Sequence, residues 1–464
     1  MAKRVGSHAV VVGSGMAGLL SARVLADWFD HVTVIERDHL PENPEHRHGV
    51  PQARHAHFLL AGGRRVLDEL YHGLSARLLE EGAVPVRWTA DLLGCAEFGW
   101  MARKELDGDV QVLASTRWLL DWVVRQRTFA LPNVTVRART EVTGLLARDD
   151  GLSVDGVRIR SRAQTATPIS DGSESVIRAD VVVDAGGRSS QGRKWLRELG
   201  LPVPAVSRLD TEQVHATRIY RRPPGAFDEW KALHVFPSPR TRAGACLTPI
   251  EGDRWMATLI GYGGGTEPPA TPDAFLAFAK TLVTPLLHDT IMGLEPDGPV
   301  FGFRRSENIR YHYERLPRRL EGYLVIGDAV CALNPIYAQG MTVAAFSAKV
   351  LAKTLAAAEA TADLSELTQN FQKSLAKCHD PIWRRAVRQD MAFLAAEQQR
   401  PTPMQRMANQ YMNRVGRAAF REGGRTQQAY IEVIHMMRRS TSLLAPHIVW
   451  QALRSGGTGR LHGP

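Results

Sequence analysis

Hydrophobic periodicity changes twice within the first 36 residues. Residues 8–13, His-Ala-Val-Val-Val-Gly, are a short continuous apolar run that reads as a buried strand; 16–27 reads as a helix; 31–36 returns to strand. Together they predict a βαβ unit at the extreme N-terminus. Residues 117–127 have the spacing of an amphipathic helix, and strand-like runs follow at 134–136, 154–159 and 180–184. A Ser/Thr-rich stretch, 161–175, is expected as a loop or hairpin tip. From 214 to 262, β-rich segments divided by Pro223-Pro224, Pro237 and Gly244 predict an antiparallel sheet of different character. That sheet ends at Gly263-Gly264-Gly265 and Pro268-Pro269, before a helical segment near 272–283. A strand at 323–326 leads through Gly327-Asp328 into an Ala-rich helix over about 340–358, and the remainder reads as helix with Pro401, Pro403 and Pro446 as breaks.

Composition narrows the class. With 464 residues, 44% hydrophobic and 23% charged, the chain can build two or three packed units. Its four cysteines, Cys95, Cys246, Cys331 and Cys378, form no CxxC pair, so neither a disulfide framework nor a thiolate zinc site is expected, and a reducing cytoplasm fits. Lys3 and Arg4 before an apolar stretch imitate a signal peptide, but glycines interrupt that stretch. The longest charge-free run, 329–348, is broken by Asn334, Pro335, Gln339 and Gly340, so no membrane span is predicted. Net charge is +10, yet residues 391–464 hold ten Arg, no Lys and three Glu, which places +7 of it in the last segment. No helix-turn-helix, aromatic RNA-binding signature or metal finger accompanies this local basicity, so nucleic acid is not an expected partner.

Chemistry first shows at Gly13-Ser14-Gly15-Met16-Ala17-Gly18, which fits G-x-G-x-x-G between a predicted strand and helix, with Glu36 closing the second strand. The first glycine permits the tight turn, the second lets backbone approach a pyrophosphate, and the third lets helix and strand pack closely. The helix N-terminus adds unpaired N–H groups and a positive dipole end for phosphate. Glu36 can accept both ribose hydroxyls of an adenosine, favouring FAD or NAD over a 2′-phosphorylated cofactor.

A second segment separates those two cofactors. Residues 323–341, Tyr-Leu-Val-Ile-Gly327-Asp328-Ala-Val-Cys-Ala-Leu-Asn-Pro335-Ile-Tyr-Ala-Gln-Gly340-Met341, resemble the second FAD motif of flavoprotein hydroxylases of the para-hydroxybenzoate hydroxylase type. In that family the aspartate binds the ribityl chain, and the proline and glycine backbone lie against the isoalloxazine and pyrophosphate. Within the family, Gly49-Val-Pro-Gln52-Ala-Arg54-His55-Ala-His57 is similar to a stretch of bacterial polyether and squalene-epoxidase-like epoxidases that runs beside the flavin, which makes Gln52, Arg54 and His55 candidate contacts. Arg117 matches a flavin-side arginine at the head of a helix, and the resemblance also puts Arg37, Val142 and Met341 on the cofactor.

The resemblance implies an α/β fold: a Rossmann-type FAD-binding domain in three pieces (1–75, 113–200 and 301–360), a substrate-domain insertion at 76–112, an antiparallel-sheet substrate domain at 201–300 and a C-terminal helical region at 361–464. It further implies an FAD-dependent monooxygenase, an epoxidase or hydroxylase acting through a flavin 4a-hydroperoxide with molecular oxygen on a lipophilic small molecule, in natural-product biosynthesis. Such a substrate would be a polyene, polyketide, terpenoid or aromatic. No acid or base residue is nominated as catalytic.

One departure bears on the electron source. Where the family has an aspartate-glycine motif said to touch FAD and the nicotinamide cofactor, this chain reads Asp184-Ala-Gly186-Gly187-Arg188, so Gly186 replaces the acid. NAD(P)H therefore acts either directly, with Arg188 in the lost role, or through a separate flavin reductase. Other readings stay open: a dehydrogenase or reductase with the same motifs, a non-catalytic FAD protein, and a flavin halogenase, although Trp255-Met-Ala-Thr-Leu-Ile does not match the halogenase Trp-x-Trp-x-Ile-Pro signature. His46, His48, His55 and His57 have H-x-H spacing, but no carboxylate or cysteine completes a coordination set, so no metal is expected. The C-terminal region carries six methionines among its arginines, the composition of an apolar lid or of a surface for peripheral membrane contact, or of helices packed with their arginines in water.

Overall fold

Strands that are apolar without alternation belong in a sheet covered on both faces, and the computed structural model places them so. It describes residues 4–97, 99–106, 108, 110–162, 174–226, 229–263, 267–304, 307–361, 364–394 and 402–454. Strands Tyr323–Val325, Val181–Asp184, Gly6–Val12, Phe29–Ile35 and Val134–Arg137 lie in that order in one parallel sheet. Val10, Val11, Val182, Val183 and Leu324 are fully buried in it. The chain leaves Gly6–Val12 towards Phe29–Ile35 and later returns to its other side at Val181–Asp184, so the carboxyl ends of these strands open a crevice at a topological switch point.

Twelve helices are present among the described residues: α1 Met16–Leu25, α2 Ala61–Leu70, α3 Leu74–Glu80, α4 Arg117–Phe129, α5 Gly192–Glu198, α6 Pro272–Lys280, α7 Leu286–Ile291, α8 Gly340–Thr361, α9 Leu367–Leu394, α10 Pro403–Glu422, α11 Gly424–Ile434 and α12 Pro446–Arg454. Helix α8 is long and apolar enough to cross a membrane, but it packs against α1, α2 and α9 and buries Met341, Val343, Ala348, Leu351 and Leu355.

The second sheet has seven strands in the order Phe301–Phe303, Gln213–Arg221, Arg254–Tyr262, Ala243–Ile250, Ala232–Val235, Leu92–Ala96, Gly99–Trp100. It is antiparallel except where Ala232–Val235 runs parallel to Leu92–Ala96, a strand contributed from early in the chain. Alternation gives it two unlike faces. Leu233, Val235, Leu247 and Leu259 pack on Phe275 of α6 and Leu287 of α7. The opposite face carries His215, Thr217, Met256, Thr258 and His234 and turns towards the segment 55–60.

Pro403 and Pro446 each mark a break by starting a new helix, α10 and α12, where the first turn needs no N–H; Pro401 lies outside the described residues. The sequence reading needs two corrections. Pro381, not foreseen, sits inside the 28-residue α9. Of the expected loop 161–175, residues 163–173 lie outside the described residues, while Ser175–Arg178 is a strand paired antiparallel with Val154–Ser161.

The C-terminal helices join both sheets. Phe420 and Ile431 pack with Trp88, Leu92 and Ala232. Gly62 of α2 donates its N–H to the carbonyl of His435 (2.9 Å), and a side chain at Gly62 would stand 2.6 Å from the Met436 carbonyl. Met404, Met407, Trp450 and Leu453 are exposed.

The tightest point in the first layer is the turn into α1. A Cβ on Gly18 would lie 1.9 Å from the Gly13 carbonyl oxygen. Gly18→Val is therefore expected to cost more than about 3 kcal/mol and to yield little folded protein. A denaturant midpoint equal to wild type would contradict this packing.

Candidate functional site

The crevice is walled by the two glycine turns. Gly13 ends its strand at φ +95°, a left-handed conformation that disfavours a side chain. Gly15 caps α1 without any side-chain cap, leaving the first N–H groups of the helix unpaired by that route, and a Cβ there would meet nothing within 4 Å. On the facing wall Gly327 has φ +63°, and a Cβ on it would stand 2.6 Å from the Ala17 Cβ. The two motifs, 310 residues apart in sequence, thus touch.

Ser14 is buried and donates its N–H (2.8 Å) and its hydroxyl (2.7 Å) to Glu36 Oε2, while Asp38 N–H donates to Oε1 (3.0 Å). Arg47 lies 3.5 Å from the same carboxylate and donates to Ser14 Oγ (3.0 Å). Burial pushes the Glu36 carboxyl up, but Arg47 and these hydrogen bonds outweigh it and hold the group below its ordinary value. Oε2 is already filled, so one lone pair on Oε1 remains for a ribose hydroxyl, not the two acceptors expected. Arg47 was hidden between His46 and His48, where the histidine spacing drew attention instead. Arg37 is exposed, whereas Val142, on Thr140–Ala147, is buried.

Asp328 carries a half-exposed carboxylate 3.9 Å from Arg188 Nε. Arg188 also donates to the carbonyls of Glu307 (2.9 Å) and Leu333 (2.8 Å), which ties the Gly186 turn to the second motif. Asp184 is wholly buried and accepts from Gly186 N–H (2.9 Å), Ser190 Oγ (2.5 Å) and Tyr323 Oη (2.8 Å). A Cβ at Gly186 would stand 3.0 Å from Asp184 Oδ1, so this turn has little room for the family's acid. Pro335 opens the turn Pro335–Tyr337, Ala338 follows at φ +51°, and Gly340 starts α8 with open space beside it, while Met341 is buried. Gln339 Oε1 is buried without a hydrogen-bond partner among the described residues. Open glycines, an uncapped helix start and an orphaned polar atom fit a dinucleotide cofactor laid along this crevice.

The segment after Gly49 joins the crevice to the second sheet. Gln52 is half-buried in the turn Pro51–Arg54, and the Arg54 guanidinium sits 4.6 Å above the Phe301 ring. His55 Nδ1 is 2.8 Å from Thr217 Oγ1, which is 2.7 Å from Thr258 Oγ1, and Ala56 N–H donates to Thr258 (3.2 Å). Arg117, the first residue of α4, is buried and donates to Asp121 (2.7 Å). Burial holds His55 down at about 3, with His215, His57 and Arg54 adding to it; His57, beside Arg117, falls to about 4, and His215 to about 4. All three rings are neutral at pH 7, able to hydrogen-bond but not to carry charge. Among the described residues no three His, Cys, Asp or Glu are grouped to hold a metal.

His215, Thr217, Thr258 and His234 were missed by the sequence reading. A signal existed: Gln213, His215 and Thr217 alternate with Val214 and Ala216 in the first half of one strand, the mark of a wall with a polar task.

Gly15→Val is expected to fold with stability within about 1 kcal/mol of wild type, since its side chain meets open space, and to lose dinucleotide affinity by at least ~100-fold. Cofactor retained after gel filtration of that variant would show that the pyrophosphate lies elsewhere.

Comparison with known proteins agrees with this geometry. Protein Rv3254 of Mycobacterium tuberculosis is 32% identical over 414 residues, covering 85% of this chain and 82% of the relative. Among solved structures, the flavin-dependent brominase Bmp2 superposes with a TM-score of 0.65 at 16% identity, over 97% of this chain and 98% of its own. PqsL of Pseudomonas aeruginosa, a probable FAD-dependent monooxygenase, does so with a TM-score of 0.62 at 17% identity, over 84% and 99%. At such identities they share the fold. The FAD binding domain family model matches residues 7–378 of the 464, both glycine turns included, and the chain belongs to that family.

Proposed function

We propose that this FAD-binding protein is a monooxygenase that hydroxylates or epoxidises a lipophilic small molecule, a polyene, polyketide, terpenoid or aromatic of natural-product metabolism. The observation that carries the reading is the wall facing the crevice. Thr217, Ile219, Met256 and Thr258 are buried on that side of the seven-stranded sheet, and its histidines, His215 and His234, are held neutral by burial. Such a surface suits an uncharged, mostly apolar substrate. It also excludes water, which oxygen transfer requires.

In this reading the Gly13–Gly18 backbone and the start of α1 bind the pyrophosphate, Glu36 one ribose hydroxyl, and Asp328 the ribityl chain. Pro335, Gly340 and Met341 border the ring, with Gln52, Arg54, His55 and Arg117 on its other side. Bound FAD, once reduced, supplies the oxygen-transfer chemistry. The protein's own residues orient the substrate: neutral His55, fixed by Thr217, can present its other ring nitrogen to a substrate oxygen without introducing charge. The likeness of the segment around Gln52 to epoxidases ranks epoxidation slightly ahead of hydroxylation. The fold shared with Bmp2 makes halogenation the second reading.

Two outcomes test this. With labelled dioxygen, reductant and a panel of lipophilic polyenes and aromatics, one labelled oxygen atom is expected in the product; label from water, or a product that has only lost hydrogen, removes the monooxygenase assignment. A brominated product in the presence of bromide favours the halogenase instead. Because Gly186 stands where the family has an acid, reduction of bound FAD by NADPH alone is expected to be at least ~10-fold slower in stopped flow than turnover supplied by a separate flavin reductase. Rapid bleaching by NADPH without a reductase would contradict the need for that partner.

A further inference from the structure

The Asn334–Ala338 loop is held from behind by a residue that neither glycine motif contains. Asn334 is buried; its Oδ1 accepts from Ile336 N–H (3.2 Å) and its backbone N–H donates to Asn308 Oδ1 (2.8 Å). Those two bonds orient both amide groups, because each oxygen is spent on a backbone N–H. Both NH2 groups then point the same way, at Asp390 Oδ2, with Asn334 at 3.0 Å. Tyr337 Oη donates to Asp390 Oδ1 at 2.5 Å. Asp390 is wholly buried on α9, its hydrogen-bond partners are Asn308, Asn334 and Tyr337 with no cation among them, and burial pushes its carboxyl up.

One turn further along the same face, Phe393 stacks on Tyr262 at 3.8 Å, and Ile336 packs against this pair. Helix α9 thus grips the loop with a polar hub and an apolar one. A carboxylate at the hub lets all three groups donate to it; an amide of the same shape would keep both Asn bonds only by turning its own NH2 to Tyr337 Oη, which would then have to accept and would lose the charged acceptor. Asp390 lies beyond residue 378, where the match to the FAD binding domain family stops, so the grip comes from chain that the family model does not include.

We propose that Asp390 is a positioning residue of the flavin site, which clamps Asn334 and Tyr337 and thereby holds the Pro335 loop in the conformation that receives the flavin ring. The inference rests on FAD occupying the crevice, not on the reaction that follows.

The test compares wild-type holoprotein with Asp390→Asn and Tyr337→Phe in four measurements: FAD dissociation constant, fluorescence yield of bound FAD, its midpoint potential, and thermal stability of the apoprotein. Asp390→Asn is expected to bind FAD about tenfold more weakly, because the charge-assisted bond from Tyr337 is replaced by a reversed, neutral one and the hold on the loop loosens, with raised flavin fluorescence and a shifted potential. Tyr337→Phe, which removes one donor, should weaken binding about threefold in the same direction. If Asp390→Asn does not fold, Tyr337→Phe decides alone, and wild-type affinity, fluorescence and potential in it overturn the proposal. Lower apoprotein stability with unchanged FAD properties in either variant also overturns it, since that is what a purely structural role would give. No turnover is needed for these readings, so they stand apart from the oxygen-label experiment.

Discussion

Close approach of backbone to backbone at the crevice is the constraint on which the rest of the structure depends. Where the Gly13 carbonyl comes within 1.9 Å of the position a Gly18 side chain would take, no other residue fits, and this contact sets the angle at which α1 leaves the first strand. The facing wall also comes close, where a Cβ on Gly327 would stand 2.6 Å from the Ala17 Cβ. Both sides must be in place before the crevice exists, so the chain has to travel through the second sheet and return as Tyr323–Val325 to complete it. Strands of the first sheet therefore alternate along the chain with strands of the second.

The second sheet answers a different demand. One face meets α6 and α7 and is filled with Leu, Val and Phe; the other meets the segment 55–60 and mixes Thr and His with apolar residues. Polar groups on a buried face are tolerable only when paired, and here they pair across the strands, Thr217 with Thr258, and with His55 from outside the sheet. Burial, not pairing, leaves the histidines uncharged, and this keeps the face compatible with an apolar guest.

Much of this was legible in the sequence because the informative features are local. Gly13 to Gly18 sits between an apolar run and a helical one, and Gly327-Asp328 follows a strand, so turn chemistry and periodicity agree over a few residues. The α/β class came from the same local signals. What escaped detection depends on contacts between distant residues. Arg47 shields Glu36 across a loop without regular pattern, and Asp390 reaches Asn334 over 56 residues from a helix that, read alone, is one more amphipathic segment. The parallel pairing of Leu92–Ala96 with Ala232–Val235 carries no local mark either.

The contact between Gly62 and the carbonyls of His435 and Met436 reaches past chemistry to inheritance and engineering. It stitches the last hundred residues to a helix that precedes the seven-stranded sheet, so the point where family resemblance fades is not a point where the chain can be cut. A shortened gene ending there would leave α2 with an unclosed backbone edge and the second sheet with a bare flank. The tail and the residue at position 62 therefore form one unit, since any side chain larger than glycine there would meet the Met436 carbonyl.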